Sequence, residues 1–184
     1  IQGNIDFDRN VTIDEINSIA KQLNNINQQI SNVEPHGYLP NNLYDERDRL
    51  LDQLSELVDF TIDVHKFDDE RFPLAEGVFT VTIEGMSTPL VNGETHEVNE
   101  LTEDIATGVQ TGKLGALNEM HDHYEEMLTN LDEMAYAFVT QFNEVHQGGH
   151  TLNEDEPTGV NFFNEDDFEL DGAAQNIRLD DRML

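Results

Sequence analysis

Three things are scarce in this sequence: cysteine, long apolar runs and basic residues. The absence of cysteine excludes disulfides, thiolate metal sites and cysteine nucleophiles. No stretch approaches the roughly 18 apolar residues that predict a membrane span, so a membrane role is not expected. There are 9 Lys and Arg residues against 39 Asp and Glu residues, which gives a formal net charge of -30 at pH 7. Because such a surface repels phosphate backbones, we expect no nucleic-acid partner.

The acidic residues are spread along the whole chain and do not form one tail. Two interpretations follow. Dispersed charge favours a solvated surface adapted to salt, whereas a dedicated cation-binding function would need a cluster at one place. The 184 residues are enough for one domain or two small ones. A mean hydropathy of -0.56 fits elongated helices with much exposed surface better than a compact enzyme.

Apolar residues at helical spacing predict a first helix over residues 12–33. Thr12 and Glu15 stand three apart, the spacing of a capping box at a helix start. Two interleaved rows with a period of seven then predict a narrow apolar face that packs against another long helix. The predicted core positions are Ile16, Ile19, Leu23, Ile26 and Ile30. Asn and Gln dominate between the rows, so packing must supply much of the helix stability.

A stretch with two prolines and a glycine, residues 35–40, predicts a loop, after which a second helix should cover residues 42–58. Its predicted buried positions are Leu50, Leu54 and Leu57. We expect the two helices of residues 1–58 to pack as antiparallel neighbours. Arg47 falls close to the buried face, and two interpretations stay open for it: an aliphatic stem with a solvated head, or an ion pair between subunits.

Between residues 59 and 111 the pattern changes from helical to alternating. Apolar and polar residues alternate over 60–64 and over 79–84, which predicts two half-buried strands. Pro89 and the Asn92-Gly93 pair supply turns, so we expect a small antiparallel sheet or a set of hairpins. The polar stretch 99–111 has no predicted structure.

The longest predicted helix completes the core domain over residues 112–149. Five of its predicted core positions repeat every seven residues: Leu117, Tyr124, Leu131, Phe138 and Val145. The sixth, Phe142, belongs to the row beside them. So wide an apolar face predicts packing against at least two partners. The helix also carries a row of Met, which is interpreted as core and not as a cofactor site. Residues 150–184 are interpreted as an acidic loop and the start of a following element.

No motif predicts a catalytic or cofactor site. His121 and His123 are two residues apart and lack the spacing of the zinc-protease motif, so no metal site is expected there. The acidic residues Asp167, Glu169 and Asp171 before Gly172 resemble the opening of a calcium loop, but Arg178 stands where a bidentate Glu is required. The sequence contains no phosphate-binding Gly loop and no recognisable nucleophile with a base. It therefore predicts a protein that is not an enzyme and that holds no cofactor and no metal.

Five short segments, in order along the chain, carry a family resemblance. The run over 39–55 resembles the pattern P-N-D-L-x-D-x-R-D-x-L-L-x-x-L-S of the flagellar hook-associated protein 1 family, which forms the junction between hook and filament. Four other segments resemble further motifs of that family: the helix over 19–30, the hairpin at 89–93, the helix start at 112–117 and the helix end at 142–148. The matching side chains are Asn42, Leu43, Asp45, Arg47, Asp48, Gly112, Leu114, Gly115, Asp122, Phe142, Asn143 and His146.

The residue patterns and the resemblance agree on a mainly α fold, an elongated bundle of long helices with a small antiparallel β element. The resemblance implies a structural adaptor of the flagellum, exported by the flagellar secretion system and assembled outside the cell with copies of itself, the hook protein and the second junction protein. The family's terminal helices are expected to lie outside this chain, which leaves the isolated chain monomeric. Another flagellin-like axial protein and an acidic surface module that binds cations remain as alternatives.

Overall fold

The computed structural model describes residues 2–67, 71, 73–150, 159–166 and 168–183. Its helices and strands, in chain order, are α1 (Gln2–Val33), α2 (Asn41–Leu57), β1 (Phe60–His65), β2 (Val78–Ile83), α3 (Glu103–Ala106), α4 (Gly112–Gln147) and α5 (Ala173–Asn176), with short 3₁₀ helices at Glu34–His36 and Asp181–Met183. The predicted fold class, mainly α with a small antiparallel β element, is confirmed. The chain divides into two units, residues 1–121 and residues 122–184, and each is described by itself.

Helix α1, predicted from residue 12, begins at Gln2. Thr12 therefore lies in the helix interior, where its hydroxyl donates to the carbonyl of Asp8 at 2.8 Å. The capping box predicted at Thr12 and Glu15 is wrong, because a hydroxyl that can cap a helix can also bond the carbonyl one turn back. The predicted core positions of this helix are buried: Ile16, Ile19, Leu23, Ile26 and Ile30.

Helices α1 and α2 pack against each other across a short connection. A 3₁₀ helix at Glu34–His36 follows α1, and Gly37 comes next with a φ of 85°, a left-handed conformation that glycine adopts without strain. Pro40 occupies the cap position of α2 and makes no side-chain cap hydrogen bond. The predicted core positions of α2 are buried in the same apolar core as those of α1: Leu50, Leu54 and Leu57.

Strands β1 and β2 form a two-stranded antiparallel sheet in a register that pairs Phe60 with Ile83. The strands differ in burial, since β2 belongs to the core whereas Ile62 and Val64 of β1 are exposed. The prediction that both strands are half-buried is therefore wrong for β1. The reason is that β2 lies between β1 and an isolated bridge at Val91, and it is β2 that contacts α1.

The stretch 99–111, for which the sequence predicts no structure, lies against the core of the first unit. It contains the single helical turn α3, which contacts α1. Leu101, Ala106 and Val109 are buried in the same core as α1 and α2. A stretch that is polar on average can pack in this way because three apolar side chains suffice to anchor it.

Helix α4 spans Gly112–Gln147, close to the predicted range. Its seven-residue row is not covered as predicted. The members differ in exposure, with Leu117 and Tyr124 half-buried and Phe142 (39%), Leu131 (45%), Phe138 (51%) and Val145 (78%) exposed. The predicted burial is therefore wrong for the last four of these positions.

This row stays exposed because the described part of the second unit offers little to cover it. Apart from α4, that part consists of residues 148–150, 159–166 and 168–183, which contain single helical turns and one isolated β-bridge. The buried apolar residues of these segments and this part of α4 are Val139, Val160 and Ala173. Segments so short cannot cover an apolar face that runs over several turns of a helix.

The residues after α4 are ordered by side chains of that helix. The carboxylate of Asp132 accepts hydrogen bonds from the N–H groups of Gly172 at 2.9 Å and Ala174 at 2.8 Å, which satisfies donors at the start of α5.

Of the predicted acidic loop, residues 151–158 lie outside the described residues. The same holds for Asp167, the first acidic group of the calcium-like stretch.

Candidate functional site

Arg47, a motif residue on α2, is 1% exposed. Its Nη1 donates to the carbonyl oxygen of Gly77 at 3.1 Å, and its Nη2 pairs with the carboxylate of Glu76. Its guanidinium carbon lies 3.4 Å from the ring centroid of Phe79, a cation–π contact. Both sequence interpretations of Arg47 are therefore wrong, because the charged head is buried and its ion pair forms inside the chain.

Glu34, in the 3₁₀ helix after α1, is buried next to Arg47 and its partners. One oxygen of its carboxylate accepts hydrogen bonds from the hydroxyl of Tyr44 and from the N–H of Gly77, the latter at 3.0 Å. Burial and the hydrogen bond to Glu34 raise the pKa of Tyr44 to about 12. We call Glu34, Tyr44, Arg47, Glu76 and Gly77 the Arg47 network. It joins the turn between α1 and α2 to the residues that lead into β2.

Asparagines of α1 hold backbone segments of the first unit. Asn27 accepts from the N–H of Phe79 at 3.1 Å and donates to its carbonyl at 2.8 Å. Asn17 makes the same pair of hydrogen bonds with Leu101, at 2.7 Å and 2.9 Å. The side chain of Asn carries an NH₂ group that donates and a carbonyl oxygen that accepts. It can therefore bond both the C=O and the N–H of one residue, as a neighbouring strand would. These two asparagines fix β2 and the stretch before α3 to the helix.

The asparagine contacts were missed at the level of sequence, where Asn and Gln of α1 were interpreted only as polar residues between the apolar rows. A signal for them is present. Asn17, Asn24 and Ser31 repeat every seven residues, next to the apolar row, and so lie at the border of the buried face. Asn24 and Ser31 both reach His96, through its carbonyl at 3.0 Å and its ring Nε2 at 3.2 Å, respectively.

The motif at the start of α4 allows close approach of backbones. Gly112 has a φ of 63°, and a Cβ there would lie 2.5 Å from the carbonyl oxygen of Leu57. A Cβ on Gly115 would lie 2.2 Å from the carbonyl carbon of Gln110, so no other residue fits without a shift. The motif residue Leu114 is buried in the core. All three motif residues named within 112–117 therefore serve the packing of this helix start.

One turn further along α4, a residue outside the quoted motifs completes this packing. The amide of Asn118 donates to the carbonyls of Ala106 and Val109 at 2.7 Å and 2.8 Å. Ala106 is the last residue of α3 and Val109 lies in the turn that follows, so α4 holds the end of α3 and this turn in place. Like Asn27, Asn118 was missed because it belongs to no such row, and a single asparagine in a helix carries no pattern of its own.

The motif at the end of α4 holds the returning chain in the second unit. Asn143 is buried, donates to the carbonyl of Phe163 at 2.8 Å and accepts from the N–H groups of Phe162 and Phe163 at 3.0 Å and 2.9 Å. His146 contacts the carbonyl of Val160 through Nδ1 at 2.9 Å. Phe142 packs on Phe162 with ring centroids 5.0 Å apart. The motif therefore fixes the segment 160–163 along the helix.

The remaining motif residues, apart from Leu43, lie at the surface. Asn42, Asp45, Asp48 and Asp122 are exposed and Leu43 is half-buried. Beside them Arg49 forms an ion pair with Glu46, which lowers the pKa of the Glu46 carboxyl. The Nε2 of His121, next to Asp122, lies 3.4 Å from a carboxylate oxygen of Asp6.

No group of three or more His, Cys, Asp or Glu side chains that could hold a metal ion occurs among the described residues. Among the same residues, no helix is both long enough and apolar enough to cross a membrane. The Arg47 network, the asparagines and the glycines all act on the chain's own backbone. The fold and the placement of these side chains thus define a class, a helical packing domain whose distinctive residues hold its segments together.

Comparison with known proteins narrows this class to one family. The model of the "Flagellar hook-associated protein FlgK helical domain" matches residues 1–104 and 97–163. Flagellar hook-associated protein 1 of Bacillus subtilis (strain 168) is 33% identical, over 100% of this chain and 43% of the relative. The proteins of that name from Escherichia coli (strain K12) and Salmonella typhimurium are each 28% identical, over 83% of this chain and 30% of the relative. The chain belongs to the family of this FlgK helical domain, and it spans less than half the length of these curated relatives.

Proposed function

We propose that this protein is a structural subunit of the bacterial flagellum and acts as an adaptor at the junction between hook and filament. The observation that carries the proposal is the use of the motif side chains. Arg47 and Asn143 hold backbone segments in place, and Gly115, which has no side chain, allows close backbone approach at the start of α4. A load-bearing adaptor needs rigid subunits, and internal contacts of this kind make a subunit rigid.

The proposal includes the setting and the partners. The subunit is exported by the flagellar secretion system, lies outside the cell, and packs with copies of itself, the hook protein and the second junction protein. It catalyses no reaction. The isolated chain is monomeric, which sedimentation equilibrium would check: a molecular mass near twice 20.9 kDa would contradict it.

Deletion of the encoding gene in its own host tests the adaptor function. We expect cells with hooks but without attached filaments, and filament protein released into the medium. The intact gene should restore the filaments, and a gene with Arg47→Ala should restore fewer, because the subunit is less stable. Filaments of normal number and length on the deletion strain would contradict the proposal.

A surface module that binds cations is the alternative from a different class. Isothermal titration calorimetry with calcium and with zinc separates it from the adaptor. The adaptor should give no saturable heat with either ion. A screen for glycosidase activity, which paired carboxylates could support, should likewise be negative.

A further inference from the structure

The balance of charged side chains in this protein is one-sided. Its 39 carboxylates exceed its 9 Lys and Arg residues by 30. Several of the cations are also engaged within the chain, in the ion pairs Lys21–Glu100, Arg47–Glu76, Arg49–Glu46 and Arg182–Asp180. Even if each cation neutralised one carboxylate, 30 negative charges would remain for the solvent to compensate.

These charges lie close enough to repel one another in dilute buffer. The accessible surface of 11715 Å² divided by 30 charges gives about 390 Å² for each, a mean separation of about 20 Å. Separations are shorter on α2, where Asp45, Asp48, Asp52 and Glu56 are exposed and follow at spacings of three and four residues. Neighbours at such spacings lie about 5–6 Å apart at Cβ and destabilise a helix when they carry like charges. Two cations lie on the same helix: Arg49 donates to Glu46, and Arg47, whose Nε lies 3.6 Å from an oxygen of Asp48, also pairs with Glu76.

We propose that the folded state of this protein depends on salt, and that the protein is built for a saline medium. Dissolved ions shorten the range of repulsion, from about 30 Å at 0.01 M to about 3 Å at 1 M ionic strength. Over this interval the mean separation of the charges passes from less than one screening length to more than six. Net charge far from zero destabilises a compact state through self-repulsion, and screening removes that cost. The inference rests on the chain's own charge balance and not on the proposed function.

Thermal unfolding of the chain in increasing NaCl tests the proposal. Between about 0.01 M and about 2 M NaCl we expect Tm to rise by at least about 5 °C, with most of the rise below about 0.5 M, where the screening length changes most. KCl and choline chloride should act like NaCl at equal concentration. A Tm that stays constant would overturn the proposal, and so would a rise produced by one cation alone, which would indicate a specific site.

Two variants separate repulsion from other effects of salt. Asp52→Asn combined with Glu56→Gln removes two exposed carboxylates near the end of α2, so it should raise Tm at low salt and lose that advantage at high salt. Asp180→Asn is the matched control, because Asp180 is paired with Arg182. It should lower Tm at low salt. If the double variant melts like the unchanged protein at low salt, or if both variants shift Tm in the same direction, repulsion is not the cause.

Discussion

Helices α1 and α4 carry apolar rows with the same seven-residue period, but only the row on α1 is covered throughout. Leu23 on α1 is 2% exposed, whereas Leu131 on α4 is 45% exposed. Helix α1 lies against α2 and β2, which bring their own buried side chains to the shared core. The period of a row therefore tells which face of a helix is apolar, while the neighbouring elements decide whether that face is buried.

The same two regions use asparagine in the same way. Asn27 in the first unit holds both polar groups of Phe79, and Asn143 in the second holds the backbone of Phe162 and Phe163. What differs is the segment that is held. Phe79 belongs to a strand inside the core, whereas Phe162 and Phe163 belong to a short irregular segment. We therefore expect the first unit to open as a whole and the second to open locally.

The largest effect is expected from Arg47→Ala, which removes a buried charge from the first unit. The change leaves Glu76 and the carbonyl of Gly77 without their partner and opens a space beside Phe79. We expect the free energy of unfolding to fall by about 3–5 kcal/mol. Urea unfolding followed by circular dichroism measures this loss. Arg49→Ala, which breaks an exposed pair, should leave the midpoint nearly unchanged, and an equal loss for both variants would mean that Arg47 is not buried in solution.

The comparison of the two rows can be tested directly with Leu23→Ala and Leu131→Ala. The first creates a cavity in a packed core and should cost about 2–5 kcal/mol. The second trims a side chain that is already half in solvent and should cost less than about 1 kcal/mol. Urea midpoints of the two variants give the difference. Similar losses would show that the α4 row is covered when the protein is in solution.

Alkaline pH should act on the first unit through Tyr44. The pKa of Tyr44 in the folded protein, about 12, lies above its ordinary value of 10.0. The contribution of Tyr44 to the free energy of unfolding is therefore complete below pH 10. About 2–3 kcal/mol of it is lost as the pH rises towards 12. Urea unfolding at pH 9 and pH 11.5 measures the loss. Tyr44→Phe should be less stable than the unchanged protein at pH 9 and should lose less stability between the two values; an identical loss would contradict this account.

The smallest effects are expected from Asn27→Ala and Asn143→Ala. Each should cost about 1–3 kcal/mol, because buried backbone groups lose their partners. The rates of amide hydrogen exchange distinguish the two variants. Asn27→Ala should speed exchange across the core of the first unit, whereas Asn143→Ala should speed it at the amides of Phe162 and Phe163. If Asn143→Ala instead sped hydrogen exchange throughout the protein, the expectation that the second unit opens locally would be wrong. Asn25→Ala, at an exposed position of α1, is the control for both.

The periodic parts of the fold could be predicted from the sequence. Spacing located α1, α2 and α4, and the alternation from residue 60 located the two strands, because side-chain burial follows the backbone geometry of each element. The start of α1 could not be predicted, since Thr12 has the same chemistry in a cap and in a helix interior. The exposure of β1 could not be predicted either, because alternation indicates an apolar face but not what lies against it.

The candidate site was predictable where a motif carried it. The resemblance selected Arg47, Gly112, Gly115 and Asn143, and each of these residues has a defined place in the structure. Their contacts could not be predicted, because they join residues that are far apart in the chain. Arg47, for example, meets Gly77, thirty residues later. No local pattern records such a pairing.

The single carboxylate oxygen of Glu34 that serves both Tyr44 and Gly77 has a thermodynamic consequence. If either donor leaves while Glu34 stays buried, this oxygen loses one of its two hydrogen bonds, at a cost of about 1–3 kcal/mol. The turn after α1, Tyr44 of α2 and the residue before β2 therefore favour one another's folded positions. One atom thus links the folding of two segments that are far apart in the chain.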